Sequence, residues 1–104
     1  MKEESIFLEQ VGDTPRMRVL QHLIEGRELD YSLLDIAEGS GIGRTTLFRI
    51  WMDFEKLGFV KQTRNIGNAK LFKLNIENLF IKKFVDLFDI LIFNSLKERE
   101  LVYV

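Results

Sequence analysis

The sequence predicts a mainly helical domain with one small β-hairpin, in the element order α-α-α-β-β-α. Two observations predict this fold class. Apolar residues recur at helical spacing in four segments that glycine or capping residues separate. Between the third and fourth of these segments lie two runs rich in β-forming residues, 59–64 and 69–74.

The length of 104 residues suffices for one domain with one core and is too short for two domains that each bury a core of their own. Apolar residues make up 46% of the chain and charged residues 30%, which is typical of ordinary globular proteins. We therefore expect one domain over residues 1–104, with a core unit over 14–75 and a C-terminal helical segment over 76–104.

The chain has no cysteine, which excludes a disulfide scaffold, a thiolate metal site and a thiol nucleophile. It also shows no phosphate-binding glycine motif, no metal-ligand cluster of His and carboxylates, and no nucleophile with a base partner. We therefore expect no enzyme, no cofactor and no bound metal.

The most apolar stretch, 84–93, is ten residues long and contains two aspartates, so it is too short and too charged to span a membrane. The first residues, Met1 to Glu4, run into acidic side chains without an apolar core, which argues against a secretory signal. We expect a cytoplasmic, nucleoid-associated protein.

Capping residues place the first helices. Residues 5–11 form a short helix or a packed arm, and Thr14 followed by Pro15 predicts the start of a helix that closes near residue 25. Asp30 or Ser32 caps a second, short helix that runs to about residue 38.

The later elements follow from glycines and β-formers. A third helix covers 44–57, and Gly58 stands where a C-terminal glycine belongs. The segment 65–68, Asn-Ile-Gly-Asn, predicts the turn of the hairpin, since Asn and Gly tolerate positive φ. The last helix runs from about residue 77 to 99, with Asn75 or a neighbour as its cap.

Five residues, which lie in the second helix, in the third helix and in the turn that joins them, indicate a helix-turn-helix. Ala37 supplies the small residue where the two helices touch, and Gly41 supplies left-handed backbone angles at the turn. Ile42, Leu47 and Ile50 supply the branched apolar side chains that hold the second helix to the core. At this spacing, and followed by a basic hairpin, these five residues together strongly indicate a helix-turn-helix.

The helical periodicity of 44–57 separates two faces. The predicted core-facing residues are Leu47, Ile50, Trp51, Phe54 and Leu57. The predicted outward residues are Thr45, Arg49, Met52 and Lys56, with Phe48 and Asp53 at the flanks. Such a stripe suits a DNA major groove, because arginine pairs with guanine and a thioether or ring contacts a thymine methyl. The alternative is a plain solvated helix face.

Positive charge is concentrated around this helix. Residues 40–73 contain seven Lys or Arg and two Asp or Glu, a net charge of +5, although the whole chain has a net charge of −1. A local positive field is what a polyanionic partner requires. We expect Thr45, Thr46 and Arg49 to read bases, and Arg44 and Lys56 to hold phosphates.

The hairpin offers a second basic element, the predicted wing over 59–74. Arg64 and Lys70 flank its polar tip, which includes Asn65 and Asn68. We expect the tip to contact the DNA backbone or to place arginine in a minor groove. The alternative is a two-stranded ribbon that only covers the core.

These motifs carry a resemblance. The stretch 30–49, DYSLLDIAEGSGIGRTTLFR, followed by FEKLGFVK at 54–61, resembles prokaryotic winged-helix regulators, most of all the small archaeal ones and the MarR and ArsR groups. The resemblance covers about residues 14–75. It implies a winged helix-turn-helix that binds double-stranded DNA as a dimer. Gly43 departs from the pattern, because the family often has Ser or Thr there.

The last helix is too apolar for one small domain to cover on every side. We expect a symmetric homodimer through Phe80, Phe84, Leu87, Phe88, Leu91 and Ile92. Ile90 and Phe93 extend the apolar surface to the far side of the helix. The alternative is a helix packed wholly on its own domain. Residues 101–104 either extend this interface or fray.

Three functions remain open. The leading hypothesis is a homodimeric, sequence-specific transcription regulator; the second is a winged-helix module for protein–protein contact within a larger assembly. The third is RNA binding or nonspecific DNA binding in chromatin organisation. The sequence singles out no site for a small-molecule effector, and His22, the only histidine, is expected to be an ordinary surface residue.

Overall fold

The computed structural model describes the backbone of residues 5–103 and the side chains of residues 5–97. The helices are α1 (Ile6–Val11), α2 (Pro15–Glu25), α3 (Leu33–Ser40), α4 (Arg44–Leu57) and α5 (Leu79–Tyr103), and the strands are β1 (Val60–Ile66) and β2 (Ala69–Leu74). The predicted fold class is confirmed, and the segment 5–11, for which a helix or a packed arm was expected, adds a helix before the predicted order α-α-α-β-β-α. The expectations for residues 1–4 and for the side chains of 101–104 lie outside the described residues.

The helix starts follow from capping side chains. The Met17 amide donates to the Thr14 hydroxyl at 3.2 Å, and Pro15 occupies the first turn of α2. Ser32, not Asp30, caps α3, since the Asp35 amide donates to its hydroxyl at 3.2 Å. Each cap satisfies an amide that has no partner inside the helix.

The turn between α3 and α4 matches the predicted helix-turn-helix. Gly41 has φ 70° and ψ 35°, the left-handed conformation that favours glycine. The Ile42 amide donates to the Ala37 carbonyl at 3.1 Å, and Ala37 is buried where the helices touch. The turn thereby fixes the direction in which α4 leaves α3.

The core lies where α2, α3 and α4 meet the hairpin and α5. Its buried apolar residues are Phe7, Val19, Leu20, Leu23, Ile24, Ile36, Ala37, Leu47, Trp51, Phe54, Phe59, Val60, Phe72, Leu74, Ile81 and Phe88. Phe7 brings α1 into this core, because its ring meets Phe84 and Phe88 of α5 edge to face at 5.8 and 5.3 Å.

The hairpin is antiparallel, with register from Val60 opposite Leu74 to Ile66 opposite Ala69. The predicted four-residue tip is too long: the pairing includes residues 65 and 66, and the turn consists of residues 67 and 68. A register shift between Gln62 and Arg64 leaves Thr63 as a bulge.

A third extended segment was not predicted from the sequence. Tyr31 pairs with Phe72, its amide donating to the Phe72 carbonyl at 2.8 Å and its carbonyl accepting from the Phe72 amide at 2.7 Å. This bridge covers the free edge of β2 and holds the loop before α3 beside the hairpin.

Two asparagines join the end of α4 to the start of α5. The side-chain amides of Asn75 and Asn78 donate to the Gly58 carbonyl at 2.9 and 3.1 Å. The Asn78 side chain also accepts from the Ile81 amide at 3.1 Å, so it caps α5, which begins at Leu79 and not near residue 77. The predicted cap, Asn75, instead shapes the turn before the helix.

The expectation that His22 is an ordinary surface residue is wrong. Its half-buried ring lies 5.0 Å from the Tyr31 ring and packs against Gly39 of α3. A side chain at position 39 would collide with the imidazole. Glycine therefore permits the close approach of α2 and α3.

We predict that Gly39→Ala lowers the free energy of unfolding, because the new methyl group meets the His22 ring. In a His22→Ala background the same change should raise it by about 0.5–1 kcal/mol, since alanine favours a helix interior over glycine. Urea denaturation of the four proteins measures both effects. Stabilisation by Gly39→Ala in the parent would contradict the packing described.

Candidate nucleic-acid interface

Three buried side chains fix the rotation of α4. Leu47, Trp51 and Phe54 are 0%, 3% and 0% exposed. The Trp51 ring meets Phe72 edge to face at 5.2 Å, and Phe54 meets Phe59 in the same way at 5.4 Å. Because the helix is anchored on one side along most of its length, its opposite side must face outward.

Two further residues were predicted to face the core. Ile50 is half-buried, but Leu57 is 50% exposed, so the prediction for Leu57 is wrong. Leu57 is the last residue of α4, and Phe59 of the following segment packs on Phe54 and fills the core at that end. The apolar surface of α4 therefore ends before its last residue.

The outward side of α4 carries a mixed set of exposed side chains that we call the reading face: Thr45, Phe48, Arg49, Met52 and Lys56. Arg44 is also exposed at the start of the helix, whereas Thr46 is half-buried. Gly43 caps α4 without a side-chain hydrogen bond, so no side chain occupies the amides of the first turn.

The three bases of α4 outnumber its two acids, Asp53 and Glu55. Among the described side chains, four arginines form ion pairs within 4 Å: Arg16 with Asp53, Arg18 with Asp13, Arg27 with Asp89 and Arg64 with Asp30. Arg44, Arg49, Lys56 and Lys70 have no such partner in this part of the chain. Asp53, the acid at the flank of α4, is matched by Arg16 at 3.7 Å. The reading face thus stays positive.

The wing arginine differs from these bases. Arg64 forms a bidentate salt bridge with Asp30, in which Nε donates to Oδ2 at 2.9 Å and Nη2 donates to Oδ1 at 3.2 Å. The Thr63 hydroxyl donates to the same carboxylate at 2.7 Å. These hydrogen bonds, first from Arg64 and then from Thr63, lower the pKa of Asp30 to about 2. Arg64 is thus held against the loop before α3.

The other wing candidates remain at the surface. Asn65, Asn68 and Lys70 are all exposed. Asn65 accepts a hydrogen bond at 2.9 Å from the side chain of Gln62, whereas Asn68 occupies the two-residue turn. Sequence reasoning missed Asp30 as the anchor of the wing, because its partners are more than thirty residues away and depend on the bulge at Thr63.

The structure divides the six residues predicted for dimerisation. Phe88 is buried, and Phe84 and Leu91 are half-buried, all three packed within their own domain. Over residues 79–97, the part of α5 whose side chains are described, the exposed apolar side chains are Leu79, Phe80, Leu87, Ile90, Ile92, Phe93 and Leu96. Phe80 stacks on Phe59 at 5.0 Å but stays 52% exposed. An uncovered apolar stripe therefore runs along α5.

No protein-family model matches the chain, and no curated protein matches its sequence. Solved structures do match. The structure of NadR in complex with 4-hydroxyphenylacetate has 22% identity and a TM-score of 0.63, over 93% of this chain and 72% of NadR. MepR, a transcription regulator of the multidrug efflux pump MepA of Staphylococcus aureus, has 17% identity and a TM-score of 0.62, over 93% and 70%.

A third neighbour, Sso10a-2, is a DNA-binding protein of Sulfolobus solfataricus with 14% identity and a TM-score of 0.54, over 84% of this chain and 90% of its own. The fold is a winged helix. The likeness in fold agrees with the winged-helix resemblance of the sequence. At these identities it describes the winged-helix architecture, with β1 and β2 as the wing.

Neither a metal site nor a membrane-spanning helix is found in the described part of this winged helix. Within residues 5–97, no three His, Asp or Glu side chains group in a way that could hold a metal ion. None of the described helices is long and apolar enough to cross a membrane.

We predict that the Asp30–Arg64 pair stabilises the fold in a pH-dependent way. The pKa of Asp30 in the folded chain, about 2, is below its ordinary value of 3.8, so the stabilisation is full above pH 4. It is lost as the pH falls from about 4 toward 2. The measurement is the denaturation midpoint of the parent and of Asp30→Asn at several pH values. Their difference should shrink on acidification, and a difference that grows would contradict the pairing.

Proposed function

We propose that this chain is a sequence-specific, double-stranded DNA-binding transcription regulator that acts as a homodimer. In the proposed complex, α4 (44–57) lies in the major groove and the wing (59–74) lies on the flanking backbone or minor groove. The observation that carries the proposal is the reading face, which is exposed and positively charged and whose bases form no ion pair with any acid among the described side chains. We further propose a cytoplasmic, nucleoid-associated protein without catalytic activity.

The chemistry of α4 supports base reading. Arg49 presents a guanidinium that forms two hydrogen bonds with a guanine edge, and the Thr45 hydroxyl bonds to a base or a phosphate. Arg44 at the start of the helix and Lys56 near its end are placed to hold phosphates on either side of the groove. No side chain caps the first turn of α4, so its amides are available to a phosphate. This suits a helix that enters the groove by its N-terminus.

The wing supports a separate backbone contact. Its first strand is exposed from Lys61 to Ile66, and Lys70 opposes Asn65 near the tip. The short turn, with Asn68 exposed, suits contact along the phosphates more than deep entry into a groove. Arg64 contributes by holding the wing in place through Asp30.

The proposed dimer rests on the uncovered stripe of α5. Ile90 and Phe93 are 56% and 63% exposed, and Phe80 and Leu87 continue the stripe toward the start of the helix. Exposed apolar surface of this kind is costly in water, and pairing with a second copy about a twofold axis would cover it. A palindromic site requires two recognition helices about one DNA turn apart, and a symmetric pair is the arrangement that can supply them.

We predict that Arg49→Ala and Lys70→Ala weaken DNA binding in different ways. Loss of Arg49 should cost about 1–3 kcal/mol at the preferred site and little at random sequence, since a base contact is removed. Loss of Lys70 should weaken all sequences alike and reduce the slope of log K against log salt by about 0.9, one phosphate contact. The measurement is a fluorescence-anisotropy titration of each duplex at several salt concentrations.

The matched control is Lys82→Ala, which removes an exposed base of α5 outside the reading face. It should leave both the affinity and the salt slope unchanged. If neither Arg49→Ala nor Lys70→Ala differs from the parent, the proposed orientation on DNA is wrong.

We predict that the double substitution Ile90→Glu and Phe93→Glu converts the dimer into a monomer, because four carboxylates would meet at the twofold interface. Sedimentation equilibrium measures this against the monomer mass of 12.3 kDa. The control is Ile66→Glu, an exposed apolar residue at the wing tip, which should leave the dimer intact. A monomeric parent would refute this part of the proposal.

A further inference from the structure

The reading face contains two large apolar side chains that the protein leaves in water. Phe48 is 50% exposed and Met52 is 71% exposed. They are four residues apart on α4, so they lie side by side on successive turns. Leu34 of α3 is 47% exposed and lines the same cleft as Phe48. We call Leu34, Phe48 and Met52 the apolar patch.

The apolar patch borders a recess. A cleft of about 170 Å³ opens between α3 and α4, lined by Leu33, Leu34, Arg44, Leu47 and Phe48. Apart from the Arg44 guanidinium, its lining side chains are hydrocarbon. The site therefore suits a small apolar group that approaches α4 from outside, next to a cation.

The surroundings of the apolar patch restrict its partner. Arg44, Arg49 and Lys56 lie on the same exposed side of α4 and have no acidic partner within 4 Å among the described side chains. A partner must therefore combine negative charge with small apolar groups. A second copy of this face would bring cations against cations, which disfavours self-association through it.

The major groove of DNA meets both requirements. Its edges carry phosphates, and the one apolar group on its base edges is the C5-methyl group of thymine, or of a cytosine methylated at the same position. The ring of Phe48 and the thioether of Met52 are chemically suited to contact such a methyl group. Arginine and threonine on the same face would read polar base edges beside it.

We propose that Phe48 and Met52 are specificity-determining residues that select sites by contact with C5-methyl groups. This inference rests on the proposed function, since it requires α4 in the major groove. It adds a feature of the DNA site: the bound sequence contains thymine at one or two defined positions in each half-site. At those positions 5-methylcytosine is preferred to cytosine.

The experiment begins with selection of bound duplexes from random DNA. Each thymine of the selected site is then replaced in turn by deoxyuridine, which removes the methyl group and keeps every hydrogen-bonding group. At one or two positions per half-site the parent should bind about fourfold more weakly, the change expected for one methyl group no longer buried. The other positions should show no change.

Variants assign the effect to the apolar patch. Phe48→Ala and Met52→Ala should each bind thymine and deoxyuridine duplexes equally at one of those positions. Both residues are half or more exposed, so circular dichroism should show an intact fold. The matched control is Leu57→Ala, which removes an equally exposed apolar side chain of α4 outside the reading face and should keep the fourfold discrimination.

The outcomes separate the two proposals. Tight, selective binding without any deoxyuridine effect would overturn the inference and leave the proposed function standing. Discrimination that survives in both alanine variants would also overturn it. Failure to select any DNA would overturn both proposals and would leave the apolar patch as a surface for a protein partner.

Discussion

Burial of Leu47, Trp51 and Phe54 in one core fixes the orientation of α4, and the functional surface depends on this constraint. Each side chain is almost fully removed from water, and burial of such groups contributes about 1.5–3 kcal/mol apiece. A rotation of α4 by one residue would expose Phe54 or Trp51 and bury a charged side chain. The stability of the core therefore decides which residues α4 presents to a partner.

Other contacts fix α5 relative to the end of α4 and to the loop after α2. Asn78 caps the start of α5 and at the same time bonds the carbonyl at the end of α4. Arg27, in the loop after α2, bonds the Ile24 carbonyl and both oxygens of Asp89 on α5. In the proposed dimer, these contacts would hold each reading face at a set distance from the twofold axis. The fold would then set the distance between the two half-sites of the bound DNA.

The features that the sequence could predict are local. Thr14, Pro15, Gly41 and Gly58 act within a few residues of where they stand, so helix ends and the helix-turn-helix turn could be predicted from them. Periodicity likewise predicted the outward side of α4, since a 14-residue helix has a well-defined buried side. The prediction from periodicity fails at Leu57, because Phe59, which follows the helix, fills the core position expected for Leu57.

The features that could not be predicted are pairings between distant segments. The Tyr31–Phe72 bridge, the contact of His22 with Gly39 and the Asp30–Arg64 pair depend on how finished elements pack together. The same limit applies to α5. Its periodicity identifies apolar positions, but only the structure shows that α1 and the core cover Phe84, Phe88 and Leu91, while Ile90 and Phe93 remain uncovered.

In the proposed function, the outward side of α4 is the surface that meets DNA. The most direct measurement is an NMR titration of the isotopically labelled protein with a selected duplex, following each amide and methyl signal. We expect the largest shifts at Thr45, Arg49 and Met52 and at the wing tip, with little change on α1. Shifts concentrated on α5 or α1, with an unchanged α4, would contradict this expectation.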